Sequence, residues 1–451
     1  YRLLASSLCI NAGHPDSTDS DGTQADMGMY PHLNDYDGPD WYVSEYGDDI
    51  TGTGEIGNPF FSIQGGINFA ETEADIVNVE AGTYMENITY RGHNTSVFGT
   101  EGPENIIIYG GENGSVVVFE NGETELTILS GFTIRNGSAT YGGGIYLNNS
   151  SAPTLENLII TDNNASYGGG IYSKQGSDNA LIKNVIISNN TASSYGGGCN
   201  FLSSVILENV LITGNSAISG GGIIFGNVGT QSILDNVTIV ENVATSNAGG
   251  VYGYAIGNET IINSIIWGNS GYGANLLSYG GLSVFFSDIG SGWPGEGNID
   301  ADPNFTDPEN DDYTLQWPSP CINTGNPDLD GDGEDYTTDI DDQDPDGTRM
   351  DMGAYYFDFS DYGCTDQSAC NYDESAHFDE GNCFFPAEVE DSDGEVILEI
   401  ENIDYNTNTL DIFITNDVPV AGFQFSIENV DEIDWSIILL GQQTPNVSTL
   451  I

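Results

Sequence analysis

Positive charge is almost missing from this sequence. Lys and Arg together number 6 against 69 Asp and Glu in 451 residues, a formal net charge of -63 at pH 7. Such a chain repels polyanions, which excludes nucleic acid and anionic membrane surfaces as electrostatic partners. The charge suits solubility in salt-rich water, where screening shortens its reach, and it suits divalent cation binding. Long apolar runs are also missing, so the sequence holds no membrane-spanning helix. No signal peptide is seen in a chain that starts at Tyr1, and both ends read as cuts in a longer protein. Histidine is scarce and scattered, at His14, His32, His93 and His377. No Ser-His-Asp or Cys-His arrangement can be argued from them, and none completes a zinc set. Of the few cysteines, Cys364, Cys370 and Cys383 cluster. In an acidic chain of extracellular type such spacing points to disulfides rather than zinc.

What the chain has in abundance is glycine, 59 residues, and its 38% hydrophobic content is rich in Ile, Val and Leu. That supports a sizeable core, argues against wholesale disorder, and at this length fits two or three domains. Two repeats organise the chain. The long one pairs YRLLASSLCINAGHPD (1–16) with YTLQWPSPCINTGNPD (313–328), and DGTQADMGMY (21–30) with DGTRMDMGAY (346–355). Between these blocks the second copy carries LDGDGEDYTTDIDDQDP where the first has STDS. Residues 1–30 therefore read as the tail of a preceding unit, and residues 38–357 as one full unit ending in the same tail.

The short repeat fills that unit. GGG begins at Gly142, Gly168, Gly196 and Gly220, with AGG at Ala248. The β-rich runs read LIITDNNAS, VIISNNTAS, VLITGNSAI, VTIVENVAT and SIIWGNSGY. An asparagine column runs through Asn163, Asn190, Asn215, Asn242 and Asn269, at spacings of 27, 25, 27 and 27. The β-branched runs are strand-length rather than helix-length. Gly and Asn between them supply left-handed corners. A period in the middle twenties accommodates three short strands and three turns. Stacked coils then place each strand beside its copy, in parallel, about 4.8 Å away. The expected fold is all-β, a parallel β-helix with inward Ile and Val columns. Its Asn column becomes an amide ladder that satisfies otherwise buried turn groups. A leucine-rich repeat would show LxxLxL, and this chain does not.

The segment from Trp41 to Gly99, through FFSIQGGINFA and ADIVNVEAGTY, resembles the opening coils of pectin-lyase-like right-handed β-helix proteins. The resemblance implies a short helix near Ile63–Ala70, a strand over Asp75–Val79 and a turn at Gly82-Thr83-Tyr84. The GGGIY and ITxN elements resemble repeats of polymorphic outer-membrane adhesins. The CIN…DGTR…DMGAY tail resembles the closing segment of many bacterial β-helix domains. These motifs cover residues 38–357 and speak for fold far more than for function. Residues 363–383, GCTDQSACNYDESAHFDEGNC, resemble a cysteine-bounded module of marine bacterial surface proteins, of the form CTDxxAxNYxxxAxxDDGSC. That match implies a Cys364–Cys383 disulfide and leaves the partner of Cys370 open. From Val396 the polarity alternates (VILEIENI, TLDIFITN, VAGFQFSIENV), as in an antiparallel sandwich. Residues 396–451 resemble the first strands of a cohesin-like domain, truncated at Ile451; cohesin relatives bind dockerin modules.

Two groups of residues are candidates for a site. Asp328, Asp330 and Asp332 alternate ahead of Gly333, and Asp339 stands at the twelfth position of that loop. Calcium takes six to eight oxygens, and alternating carboxylates with a Gly kink can wrap it. Asp335 occupies a position that is usually apolar and no flanking helices are apparent. The expectation is a structural calcium loop without an EF-hand, against the plainer reading of a solvated acidic loop. The shorter Asp19-x-Asp21-Gly22 echoes it in the first tail. Separately, Tyr141, Tyr167 and Tyr195 precede GGG, while Tyr146, Tyr172 and Tyr252 follow a Gly corner. Stacked over coils they make aromatic ladders, either a sugar-binding platform or a brace for the turns. Tyr141, Tyr146, Tyr167, Tyr172 and Tyr195 are the candidate binding residues.

A catalytic set is harder to find. Lyases of the resembled fold use Lys or Arg as base, and the unit offers only Arg91, Arg135, Lys174, Lys183 and Arg349. Hydrolases use carboxylate pairs. No acidic pair is apparent inside the strand runs, and Asp162 and Glu241 fall in polar turns. The sequence therefore favours a secreted or cell-surface modular protein, an adhesin, glycan binder or scaffold with extracellular glycans or surface proteins as partners. A polysaccharide lyase or glycoside hydrolase is the competing expectation.

Overall fold

Each coil turns where the sequence supplies a residue tolerant of left-handed backbone. In one coil Asn157 (φ 51°) bends the strand Thr154–Thr161 and Asp162 (φ 54°) turns the chain into Asn164–Tyr167. Gly168 (φ 64°) then turns it into Ile171–Ser173. Asn and Gly bear this conformation at least cost. The computed structural model describes residues 2–227, 229–254, 257–359, 362–369, 378–379 and 383. It also describes the strand backbones at 396–404, 409–416 and 448–450. The chain divides into two units, Tyr1–Phe357 and Asp358–Ile451.

Repetition of the coil lays like on like in three parallel sheets of 15, 6 and 8 strands, the expected parallel β-helix. Thr154–Thr161 pairs with Ala180–Ser188, that strand with Val205–Thr213, and that with Ile233–Val240. One inward position is isoleucine in every coil from Ile108 through Ile134, Ile160, Ile187, Ile212, Ile239 and Ile266 to Ile289. All are buried, each worth roughly 1.5–3 kcal/mol of transfer free energy. The amide ladder is present as well. Asn163, Asn190, Asn215 and Asn242 each donate from Nδ2 to Oδ1 of the next member, at 3.0, 3.0, 2.9 and 3.0 Å. Asn269 continues it to Asn275, a member that the regular spacing did not reveal, at 3.1 Å.

A short helix, α1 (Ile63–Phe69), covers the first coils. Ser62 caps it by accepting from the Gly65 N–H, and the Glu86 carboxylate accepts from the N–H groups of Ile63 and Gln64. Gly82–Tyr84, expected as a turn, is instead a short strand paired with Ile106–Tyr109, because Tyr84 turns inward and is buried.

The two copies of the long repeat fold alike. Met27 and Met352 donate to the carbonyls of Cys9 and Cys321, and the N–H groups of Asn11 and Asn323 donate to Asp26 and Asp351. Their settings differ. Residues 1–30 lie in the same compact unit as the β-helix. There the Asn68 amide donates to the carbonyls of Ala5 and Ser7, and Arg91 to that of Ile10. The second copy runs along the outside of the large sheet. Asn236 donates to the Asp351 and Gly353 carbonyls, and Tyr313 and Ala354 pack on Leu211 and Val240.

In the second unit Cys364 and Cys383 are disulfide-bonded, as the resemblance implied. Val396–Asp404, Thr409–Asn416 and Ser448–Leu450 form an antiparallel sheet. Cys370 and the VAGFQFSIENV run lie outside the described residues.

Several carboxyls in the first unit are buried. Burial is the leading cause that pushes Glu86 up to about 7, and Asp235, Asp288 and Asp351 each up to about 6. These groups bind protons more tightly folded than unfolded. Their stabilisation is complete below the ordinary carboxylate range and is lost as pH rises through 6 to 7. The thermal midpoint of the first unit should therefore rise when pH is lowered from about 8 to about 5 at constant ionic strength. A midpoint that stays flat or falls over that range would contradict this.

Candidate functional site

The GGG corner joins the six-stranded sheet to the eight-stranded one. A Cβ at Gly142 would lie 2.1 Å from the Ile145 carbonyl oxygen, so the turn demands glycine. The corner fixes a tyrosine on each side. Tyr141, Tyr167 and Tyr195 share one register on successive strands, and Tyr146 pairs with Tyr172 across the turn. All five candidate tyrosines come together. Ring centroids lie 5.5 Å apart for Tyr141 and Tyr167, 5.9 Å for Tyr167 and Tyr195, and 4.9 Å for Tyr141 and Tyr172. Tyr172 is buried at 6% exposure and floors the cluster, while Tyr141 and Tyr195 are exposed at 42% and 43%. Burial, then the neighbouring tyrosines, pushes the Tyr172 hydroxyl up to about 12, so it stays protonated. The strip ends where Ser219 follows Tyr195 and Asn200 follows Tyr172 in register. Tyr252 lies beyond that break, beside Tyr254 and Tyr279, each with centroids 6.1 Å away. Exposed rings backed by the buried Tyr172 offer apolar area together with hydroxyls, a surface suited to the faces of sugar rings.

The strands also carry acidic residues that become neighbours only when coils are stacked. Glu156, Lys183, Glu208 and Asp235 share one outward register on four successive strands. This corrects the expectation that the strand runs hold no acidic pair. The signal was legible, since these positions keep the asparagine column's spacing. Lys183 Nζ is held by Glu208 at 2.8 Å, and Asp235 accepts from the Asn263 amide. Other cations are similarly engaged. Arg135 pairs with Asp162 at 3.0 Å, Arg91 binds Asn68 and the Ile10 carbonyl, and Arg349 donates to the Gly325 carbonyl. Lys174 is exposed and makes no ion pair among the described residues.

In the acidic loop, Asp328, Asp330 and Asp332 bring carboxylate oxygens within 4.8 Å of one another. Asp339, the fourth residue expected there, lies outside that group and caps the turn Ile340–Asp342 by accepting from the Asp341 N–H. Asp342 is a further carboxylate in this segment. It is wholly buried, and one oxygen accepts from the Leu329 N–H.

With this geometry in hand, comparison with known families matches residues 114–288 to the right handed beta helix region. This chain carries a right-handed parallel β-helix. Similar solved structures include pectate lyase Pel9A, 11% identical, covering 70% of this chain and 96% of that one with a TM-score of 0.41. Another is a pectin methylesterase from carrot, 12% identical, covering 59% and 84% with a TM-score of 0.34. Likenesses at this level transfer no residue roles. No curated protein matches the chain. Among the described residues no helix is long and apolar enough to cross a membrane.

Proposed function

We propose that this chain is part of a secreted or cell-surface modular protein whose β-helix binds extracellular glycans without cleaving them. The supporting observation is the strip of five tyrosines converging from three coils, with Tyr141 and Tyr195 exposed at its edges. The charge balance favours neutral glycans, because polyuronates would be repelled. A lyase-type base is disfavoured at Lys183, where Glu208 already holds the ammonium. On this reading the disulfide-bonded module at 363–383 is a spacer, and the strands from 396 open a cohesin-like domain.

The test is affinity electrophoresis on a panel of neutral and acidic polysaccharides, with the same panel assayed for new reducing ends and unsaturated products. Tyr141→Ala with Tyr195→Ala should weaken binding at least about tenfold, since each ring lost costs on the order of 1 kcal/mol of stacking. Both side chains are exposed, so the melting midpoint should move little. Tyr254→Ala, outside the strip, should bind normally. Unchanged binding in the double variant would remove the strip from the argument, and product release from any polysaccharide would overturn the non-catalytic reading.

A further inference from the structure

We propose that residues 328–342 form a calcium site in which Asp342 joins Asp328, Asp330 and Asp332, and that the ion fixes the segment strapped along the outside of the β-helix. The three loop carboxylates crowd their oxygens within 4.8 Å, a repulsive arrangement unless a cation shares it. Asp342 supplies an independent observation. Its side chain is completely buried, one oxygen is held by the Leu329 N–H between Asp328 and Asp330, and the other has no hydrogen-bond partner among the described residues. One oxygen of Asp328 is likewise buried and unpartnered. Buried acceptors are left unsatisfied only at a cost, and a bound cation removes it.

The first tail lacks this loop. There the shorter STDS segment stands in place of the insertion, and its acids are used by the backbone. Asp19 accepts from the Asp26 N–H, and Asp21 accepts from Thr23 and Asn34. The insertion adds further carboxylates, each with one oxygen engaged by the backbone: Asp330 accepts from the Asp332 N–H, Asp332 from the Glu334 N–H and Asp342 from the Leu329 N–H. An all-oxygen donor set selects a hard cation, and an irregular loop suits calcium better than magnesium, which demands near-octahedral geometry. The mechanical consequence follows from the anchors. Asn326 donates its N–H to Asn263 before the loop, and Asp351 and Gly353 accept from Asn236 after it. An ion between these points would rigidify the strap against the sheet.

The experiment uses the full chain, calcium chloride as probe, thermal melts and isothermal titration. Millimolar calcium should raise the melting midpoint of the wild type by several degrees relative to EDTA, because a ligand bound only by the folded state stabilises it. The shift and the titration heat should vanish in Asp342→Asn and Asp330→Asn and persist in Asp339→Asn. Asparagine at 342 keeps an acceptor for Leu329, so the calcium-free midpoint of that variant should match the wild type and show that it folds. No shift in the wild type overturns the proposal. So does a shift that survives Asp342→Asn, or one that Asp339→Asn abolishes.

Discussion

Asn215→Ala should cost the β-helix about 3–5 kcal/mol, a large share of the stability of an ordinary domain. The estimate follows from what the amide does. Its Nδ2 donates to the carbonyls of Ile187 and Thr213 and to Asn242 Oδ1. Its Oδ1 accepts from both the backbone N–H and the side-chain amide of Asn190. The side chain is fully buried, so water cannot replace it. Truncation orphans two or three polar groups at roughly 1–3 kcal/mol each. Because solenoid coils contact only their neighbours, hydrogen-exchange protection should fall most in the coils around Ile187 and Asn242 and least at the ends. Asn209→Gly is the matched control. Asn209 is an exposed left-handed corner (φ 54°) whose amide donates to Asn184, and glycine keeps that backbone. Its loss should stay under about 1 kcal/mol. Equal losses for the two variants in denaturant unfolding would show that the ladder is decoration.

That contrast also explains what was legible in the sequence. The ladder could be read because Asn163 through Asn269 recur at the period of the coil and nothing but a stacked amide explains a buried asparagine there. The tyrosine strip could be read for the same reason, since the Gly corner fixes both flanking positions. A second asparagine column, Asn157, Asn184, Asn209, Asn236 and Asn263, has the same spacing but went unread. It stands inside the strand runs, where the eye looks for apolar alternation rather than a left-handed bend. The charged column beside it was missed with it. Asp342 was illegible for another reason. A twelve-residue ligand spacing pointed to Asp339, but the loop lacks the flanking helices that enforce that spacing. The carboxylate that meets the Leu329 N–H is set by a 3-10 turn that the sequence does not announce. The strap of the second tail along the large sheet was equally hidden, since it depends on Leu211 and Val240 facing outward in their coils.

Gly197→Ala should be strongly damaging for so small a substitution, costing roughly 3 kcal/mol or more. The reason is contact alone. A Cβ there would stand 2.4 Å from the Gly221 carbonyl oxygen and 2.6 Å from both the N and O of Ser216. All three are backbone atoms of the next coil, and none can rotate away. Opening the gap would stretch the bonds that set it, Gly197 N–H to the Gly220 carbonyl and Gly198 N–H to the Gly221 carbonyl, each 3.0 Å. The obstacle recurs along the column, with Gly169 meeting the Gly197 oxygen and Gly143 that of Gly169. The glycine run is thus a requirement of coil spacing, and the tyrosines are held where they are because the corner admits no side chain. Gly176→Ala separates the two ways a glycine matters. Gly176 is left-handed (φ 92°) but its Cβ would meet nothing closer than the Ser150 hydroxyl at 3.9 Å. It should cost only about 1 kcal/mol of backbone strain. Chemical denaturation of the two variants tests this. The Gly197 variant should also lose glycan retention, because Tyr195 sits two residues before the displaced backbone. Comparable stability for both variants would mean that coils can separate locally, and that the strip does not depend on their spacing.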